Sequence, residues 1–192
     1  MNPMIPLSPL IPRNRTVLLG LRGSGKTTLG RLLAERLQVP FIDLDDVTVA
    51  RCGQASVNAL FRSVGEPAFR AAECAALAHV LQDASTAGAV IALGGGTPTT
   101  PEVRALLEAA RTAGAIRTIL LEAPAEILGQ RLTLNPGDRP LLAGTSFAEE
   151  AVLLGKDRLP IYRLLADAVV ATGGDTAESV RLLQRAACLS AD

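Results

Sequence analysis

Apolar residues fall into two alternating patterns along the chain. Short β-type runs occur at Thr16 to Gly20, Pro40 to Leu44, Ala89 to Leu93, Thr118 to Glu122 and Ala168 to Ala171. Longer helical stretches lie between them. Within Lys26 to Leu37, the residues Leu29, Leu32, Leu33 and Leu37 recur at helical spacing and predict one amphipathic helix. A helical stretch from Val47 to about Asp83 follows, broken at Gly53 and at Gly65-Glu66-Pro67. Further helices are predicted to begin at Pro101, at Pro124 and at Asp175-Thr176-Ala177-Glu178. This alternation predicts an α/β fold in three layers, a five-stranded parallel sheet with helices on both faces. The helices inserted between the second and third strands predict a small substrate-binding subdomain at about residues 45–75. The stretch Leu134 to Thr145 holds Asn135, Pro136, Gly137, Asp138, Pro140 and Gly144; such composition predicts a mobile surface segment, about residues 134–146.

Length adds one constraint: 192 residues suit one domain, residues 15–192, preceded by a loose proline-rich tail over residues 1–14. That start has no basic region ahead of a long apolar core, so it does not resemble a secretory signal. No stretch approaches the ~18 uninterrupted apolar residues of a membrane span. Nineteen basic residues balance nineteen acidic ones, which leaves no overall field to attract nucleic acid or a membrane surface. Any anion site must therefore be local. Cys52, Cys74 and Cys188 are scattered, without the spacing of a zinc or redox motif. Buried, reduced thiols and a cytoplasmic location are expected.

Local chemistry is concentrated first at Gly20-Leu21-Arg22-Gly23-Ser24-Gly25-Lys26-Thr27-Thr28, directly after the first strand and at the opening of a helix. It fits the phosphate-binding pattern Gly-x-x-x-x-Gly-Lys-[Ser/Thr]. Glycines let successive amides curl around one concavity, and the helix adds its positive end. Gly23, Ser24, Gly25, Lys26, Thr27 and Thr28 are the expected nucleotide-binding residues. Lys26 is placed to reach the β- and γ-phosphates of ATP, and Thr27 to ligate magnesium.

A second group follows the other strands. Asp43 and Asp45 are two apart at the end of the second strand, which puts both carboxylates on one side of an extended chain, near the phosphate loop. Asp43 is suited to a magnesium-bound water and Asp45 to accepting the proton of, or simply orienting, an attacking hydroxyl; the plainer alternative is that one of them merely caps the helix beginning near Val47. Gly94-Gly95-Gly96 ends the third strand and lets a substrate approach the backbone. Arg70 and Glu73 share a helix face, by default as an exposed ion pair. Arg139 and Arg158 are guanidinium groups of the kind that bind carboxylate and phosphate. His79, the only histidine, has no acid or serine partner at a suggestive spacing and reads as an ordinary helix residue.

Taken together, these motifs resemble the shikimate kinase family. The resemblance rests on Gly-Leu-Arg-Gly-Ser-Gly-Lys-Thr-Thr, Phe-Ile-Asp-Leu-Asp, Phe69-Arg70-Ala71-Ala72-Glu73, Ala92-Leu93-Gly94-Gly95-Gly96, Arg139-Pro140-Leu141-Leu142 and Arg158-Leu159-Pro160-Ile161-Tyr162, in family order over about residues 15 to 189. It implies a P-loop kinase fold with a mobile lid, acting on shikimate with ATP and Mg2+, as a monomer. It implies that Asp45, Arg70, Gly95 and Arg158 contact shikimate, with Gly94 and Gly96 beside them, and that Asp45 aligns the 3-hydroxyl. Asp43 would act in the magnesium shell, Glu73 would position Arg70, and Arg139 would come down with the lid onto the ATP phosphates. Thr133 to Asp138 lacks the further basic residues that relatives often carry there, so Arg131 and Arg139 would take more of the nucleotide contact. Arg131 with the Thr172 to Thr176 loop is the expected adenine pocket. Two alternatives share much of this pattern: a kinase-like ligand-sensing module without turnover, and a kinase of another small hydroxy acid such as gluconate.

Overall fold

The computed structural model describes residues 14–136 and 143–188. Five strands, β1 (Arg15–Leu19), β2 (Phe41–Asp43), β3 (Val90–Ala92), β4 (Ile116–Glu122) and β5 (Ala168–Ala171), form one sheet in the order β2-β3-β1-β4-β5. Every pairing is parallel, with Val17 level with Ile91 on one side and Thr118 on the other. All five runs read from the sequence become strands, with ends shifted by a residue or two.

Among the described residues, seven α-helices connect and cover the sheet: α1 (Lys26–Leu37), α2 (Leu44–Arg51), α3 (Val57–Gln82), α4 (Pro101–Thr112), α5 (Ala125–Leu134), α6 (Phe147–Leu165) and α7 (Thr176–Cys188). Side chains alternate across each strand and so feed two cores. Leu18, Val90 and Ile119 pack with Leu29 and Leu33 of α1 and Val180 and Leu183 of α7. Val17, Leu19, Ile91 and Leu120 turn the other way, onto Leu77 of α3, Leu107 of α4 and Tyr162 of α6. The outcome is the three-layer α/β architecture expected from the alternation. Pairing β1 between β3 and β4 brings the ends of β1, β2 and β3 together on one edge, where a ligand crevice forms.

Gly53, at φ 63°, separates α2 from α3, and Gly65, at φ 74°, interrupts α3. Both breaks fall where the sequence placed them. Two expectations change. First, α2 begins at Leu44, ahead of Val47, so Asp45 stands in a first helical turn and not on a strand end. The cause is Asp43, whose Oδ1 accepts the Asp45 amide at 3.2 Å as an N-cap. Asp45 and Asp46 then complement the positive helix end. Second, the cysteines are not buried: Cys52 is exposed at the end of α2, and Cys74 and Cys188 are half-buried. Partial burial pushes the last two thiols up, which keeps them neutral. Of the segment expected to be a lid, residues 137–142 lie outside the described residues, as does the tail over residues 1–13.

Candidate active site

The cleft at this edge encloses about 480 Å³ and is lined by the phosphate loop, Asp43, Asp45, Gly94, Gly95 and Arg131. One wall is built by a single continuous run. β1 is buried through Leu19, after which Gly20 to Gly25 curl back and open α1. Gly25 is the N-cap at φ 94°, a backbone that other residues rarely adopt, and it has no side chain with which to cap the helix. The first amides of α1 are thereby left to an anion. Lys26 folds over the loop, its Nζ donating to the carbonyls of Gly20 and Leu21 at 2.8 and 2.9 Å. Thr27 Oγ1 donates to Asp43 Oδ2 at 3.0 Å, and Thr28 is exposed beside it.

The Thr27–Asp43 pair is a hydroxyl and a carboxylate on the cleft floor, a hard-oxygen set of the small size magnesium takes from protein when phosphates supply the rest. Among the described residues no larger cluster of His, Cys, Asp or Glu is suited to a metal. The donors present fit Mg2+ held chiefly through a nucleotide.

Opposite chemistry gathers at Gly94-Gly95-Gly96, which is buried at the end of β3. A Cβ on Gly94 would lie 2.7–2.8 Å from Thr97 Oγ1, Asp45 Oδ1 and Glu73 Oε1, and one on Gly96 would lie 2.6 Å from Arg70 Nη2. The absence of side chains thus lets an acid from α2 and an ion pair from α3 converge on one turn. Arg70 Nη1 donates to Glu73 Oε2 at 2.6 Å, and Nη2 to Glu66 Oε1 at 3.3 Å. Glu73 is 1% exposed and takes a further bond from Thr97 Oγ1 at 2.5 Å. The pair is therefore a buried device and not the solvated pair that spacing alone suggests. Burial works against the Arg70 charge, but Glu73 and then Glu66 more than restore it, so its pKa lies above the ordinary value.

From the other side, α6 brings Arg158 and Tyr162, one turn apart, onto the same backbone atom. The Gly95 carbonyl accepts Arg158 Nη1 at 2.8 Å and the Tyr162 hydroxyl at 2.5 Å. Burial pushes the Tyr162 phenol up to about 12, against a smaller opposing effect of the Arg158 and Arg70 charges. Arg131 bridges the donor wall, giving Nη1 to the Gly23 carbonyl at 3.2 Å and Nη2 to the Thr172 carbonyl at 2.5 Å. Thr172 Oγ1 in turn reaches the Ser24 carbonyl at 2.9 Å. Arg131 and the Thr172 loop thus come together beside the phosphate loop, where Thr176 and Ser179 also line the cleft. Arg139 lies outside the described residues.

Some of the framework was not legible in the chain. Arg22, a variable position of the loop, pairs with Glu150 at 3.2 Å, with their side chains 9% and 2% exposed, and stacks on Phe147 at 5.6 Å. Glu150 offered one signal, a lone acid on the inward stripe of α6 that carries Ala151 and Tyr162. Thr97 and Tyr162 offered none for their partners, because only the sheet order brings them to Glu73 and Gly95.

A parallel sheet that feeds a Gly-Lys-Thr loop at β1 and a cage of acid and arginine at the glycine turn after β3 defines a P-loop phosphotransferase for a small acceptor. Sequence comparison narrows this. A profile of the shikimate kinase family matches residues 22–187. The shikimate kinase of Francisella tularensis subsp. novicida is 36% identical over 171 residues, 89% of this chain and 92% of that protein. The chain belongs to the shikimate kinase family. Among solved structures, the shikimate kinase of Acinetobacter baumannii in complex with shikimate matches with a TM-score of 0.77 and 30% identity, over 90% of this chain and 92% of that one. A gluconokinase from Sinorhizobium meliloti, at TM-score 0.62 and 19% identity over 92% of each chain, shares the fold alone. Among the described residues, no helix is long and apolar enough to cross a membrane.

Proposed function

We propose that this protein transfers the γ-phosphoryl group of ATP to the 3-hydroxyl of shikimate, giving 3-phosphoshikimate and ADP. One observation carries the reading beyond the family match: Asp45, Glu73, Arg70 and Arg158 all converge on the glycine turn 94–96, on the cleft that also holds Lys26. A carboxylated polyol suits that cage, with its carboxylate on Arg70 and Arg158 and a hydroxyl on Asp45. Such an acceptor also gives a reason for burying Glu73, which fixes the Arg70 guanidinium before the ligand arrives.

In the reaction, Asp45 orients the hydroxyl and accepts its proton as the oxygen bonds to the γ-phosphorus. The bond from that phosphorus to the β–γ bridging oxygen breaks, and ADP leaves with the electron pair. Lys26 exchanges the Gly20 and Leu21 carbonyls for phosphate oxygens, and the α1 amides hold the β-phosphate. Thr27 and Asp43 would hold Mg2+, which when bound neutralises charge on the β- and γ-phosphates. Arg131 and the Thr172 loop flank the nucleotide base, and Arg139 adds positive charge at the phosphates. Helices α2 and the first half of α3 form the acceptor-side subdomain. Most of the acceleration is positioning and charge stabilisation.

A coupled ADP-release assay tests this. Release that depends on shikimate, and not on gluconate, is expected. ADP release with no dependence on shikimate, from folded protein that binds ATP, would refute it.

A further inference from the structure

Arg158 and Tyr162 donate to one and the same carbonyl, and only one of them is free to leave it. A carbonyl oxygen has two lone pairs, and the Gly95 oxygen spends both, at 2.8 Å and 2.5 Å. Arg158 is half-buried at the site, whereas Tyr162 is 0% exposed. On the function proposed above, Arg158 turns to the acceptor carboxylate, a stronger partner for a guanidinium than a neutral carbonyl. Within the turn the Gly94 and Gly96 carbonyls accept the Thr97 and Thr99 amides at 3.1 and 3.0 Å, whereas the Gly95 carbonyl turns to the Arg158 and Tyr162 side chains. We propose that Tyr162 is a positioning residue, whose hydroxyl anchors the Gly95 carbonyl and so keeps the glycine turn in place when Arg158 is released to bind the acceptor. The phenol suits a permanent donor, since burial keeps it protonated far above neutral pH. Without it, a buried carbonyl either loses both donors or keeps Arg158 for itself, and either outcome penalises acceptor binding.

Tyr162 is the only tyrosine and the chain has no tryptophan, so the near-ultraviolet tyrosine band reports on this one hydroxyl. Shikimate added without nucleotide is expected to shift that band to the red, because the Gly95 oxygen becomes a better acceptor once Arg158 departs. Tyr162→Phe keeps the ring and removes the anchor. It is expected to raise the shikimate KM about tenfold, the value of one hydrogen bond, while the ATP KM changes less than about twofold. A band that stays fixed while calorimetry shows shikimate binding would overturn the proposal. So would an unchanged shikimate KM in Tyr162→Phe, or a parallel rise in both KM values, the mark of a merely structural role. If calorimetry detects no shikimate binding to the wild-type protein, the proposed function fails first and this anchor fails with it.

Discussion

Two glycine-rich turns border the cleft, each leaving the end of a strand, and they need glycine for different physical reasons. In the donor turn Gly20, Gly23 and Gly25 have φ of 150°, 76° and 94°, and the requirement is first conformational, although Gly20 lacks room as well, a Cβ there lying 2.5 Å from Ser24 Oγ and 2.6 Å from the Leu121 carbonyl oxygen. None of Gly94, Gly95 and Gly96 is in that left-handed region, and Gly96 has φ −114°. Their requirement is room, because charged side chains from α2 and α3 occupy the space of the missing Cβ atoms at Gly94 and Gly96. The donor turn thus binds with backbone and owes its shape to contiguous residues. The acceptor turn binds with side chains recruited from distant segments. Lys26, Arg70 and Arg158 are all held by acceptors within the protein, on carbonyls or carboxylates. On the proposed function, substrates exchange these bonds for stronger ones, and the cations do not have to be brought in from water.

The largest separation of the two turns should come from Asp45→Asn. The amide keeps the shape but cannot accept a proton, so turnover should fall at least ~100-fold, while ADP affinity, set by the donor turn, stays the same. Calorimetry with ADP beside steady-state rates reads both halves at once, and near-normal turnover would remove Asp45 from its assigned role. Glu73→Ala comes next. It strips the Arg70 guanidinium of its buried partner and Thr97 of its acceptor, and should cost about 3 kcal/mol of stability. A thermal melt checks this, and the surviving folded fraction should lose shikimate affinity before ADP affinity.

The glycines themselves give the middle of the range. Gly94→Ala puts a methyl group 2.7–2.8 Å from three oxygens. It should cost about 2 kcal/mol, read as a raised shikimate KM. Gly25→Ala meets nothing nearer than Leu29 Cδ1 at 3.2 Å, but takes on the strain of φ 94°. About 1 kcal/mol is expected, read as a raised ATP KM. A reversed pattern of KM effects would break the distinction between room and conformation.

Alkaline titration isolates the acceptor turn in another way. The folded Tyr162 phenol, pushed up to about 12, lies above its unfolded value of about 10. The fold therefore favours the protonated form. That contribution is complete below pH ~10 and is lost as the pH rises toward ~12. The single tyrosine should show no phenolate absorbance at pH ~10 while the protein stays folded. Half-ionisation at that pH in the folded state would mean that the hydroxyl is not buried against Gly95.

Legibility in the sequence divides along the same line as the two turns. Strands, helix breaks at Gly53 and Gly65, and the donor turn follow from residues adjacent in the chain, and the structure keeps them. Periodicity alone puts Asp45 on a strand end, because it does not register that Asp43 caps a helix starting one residue later. Thr97, Tyr162 and Glu150 became partners only through the packing of α3 and α6 on the sheet, which no local spacing encodes.

Two ion pairs show how far spacing can mislead, and they yield the smallest effect expected. Arg70–Glu73 and Arg181–Glu178 both join residues three apart on a helix, both at 2.6 Å. Spacing and distance are the same, but the side chains are 20% and 2% exposed in the first and 56% and 50% in the second. In water the Coulomb gain is screened and the rotamer entropy of both side chains opposes it; next to the glycine turn Glu73 is withdrawn from water and the screening is weaker. Glu178→Ala should therefore leave the melting midpoint nearly unchanged, in a melt where Glu73→Ala lowers it clearly. Equal losses would mean that the buried pair derives nothing from its surroundings, and Glu73 would lose its place as the group that fixes Arg70 for the acceptor.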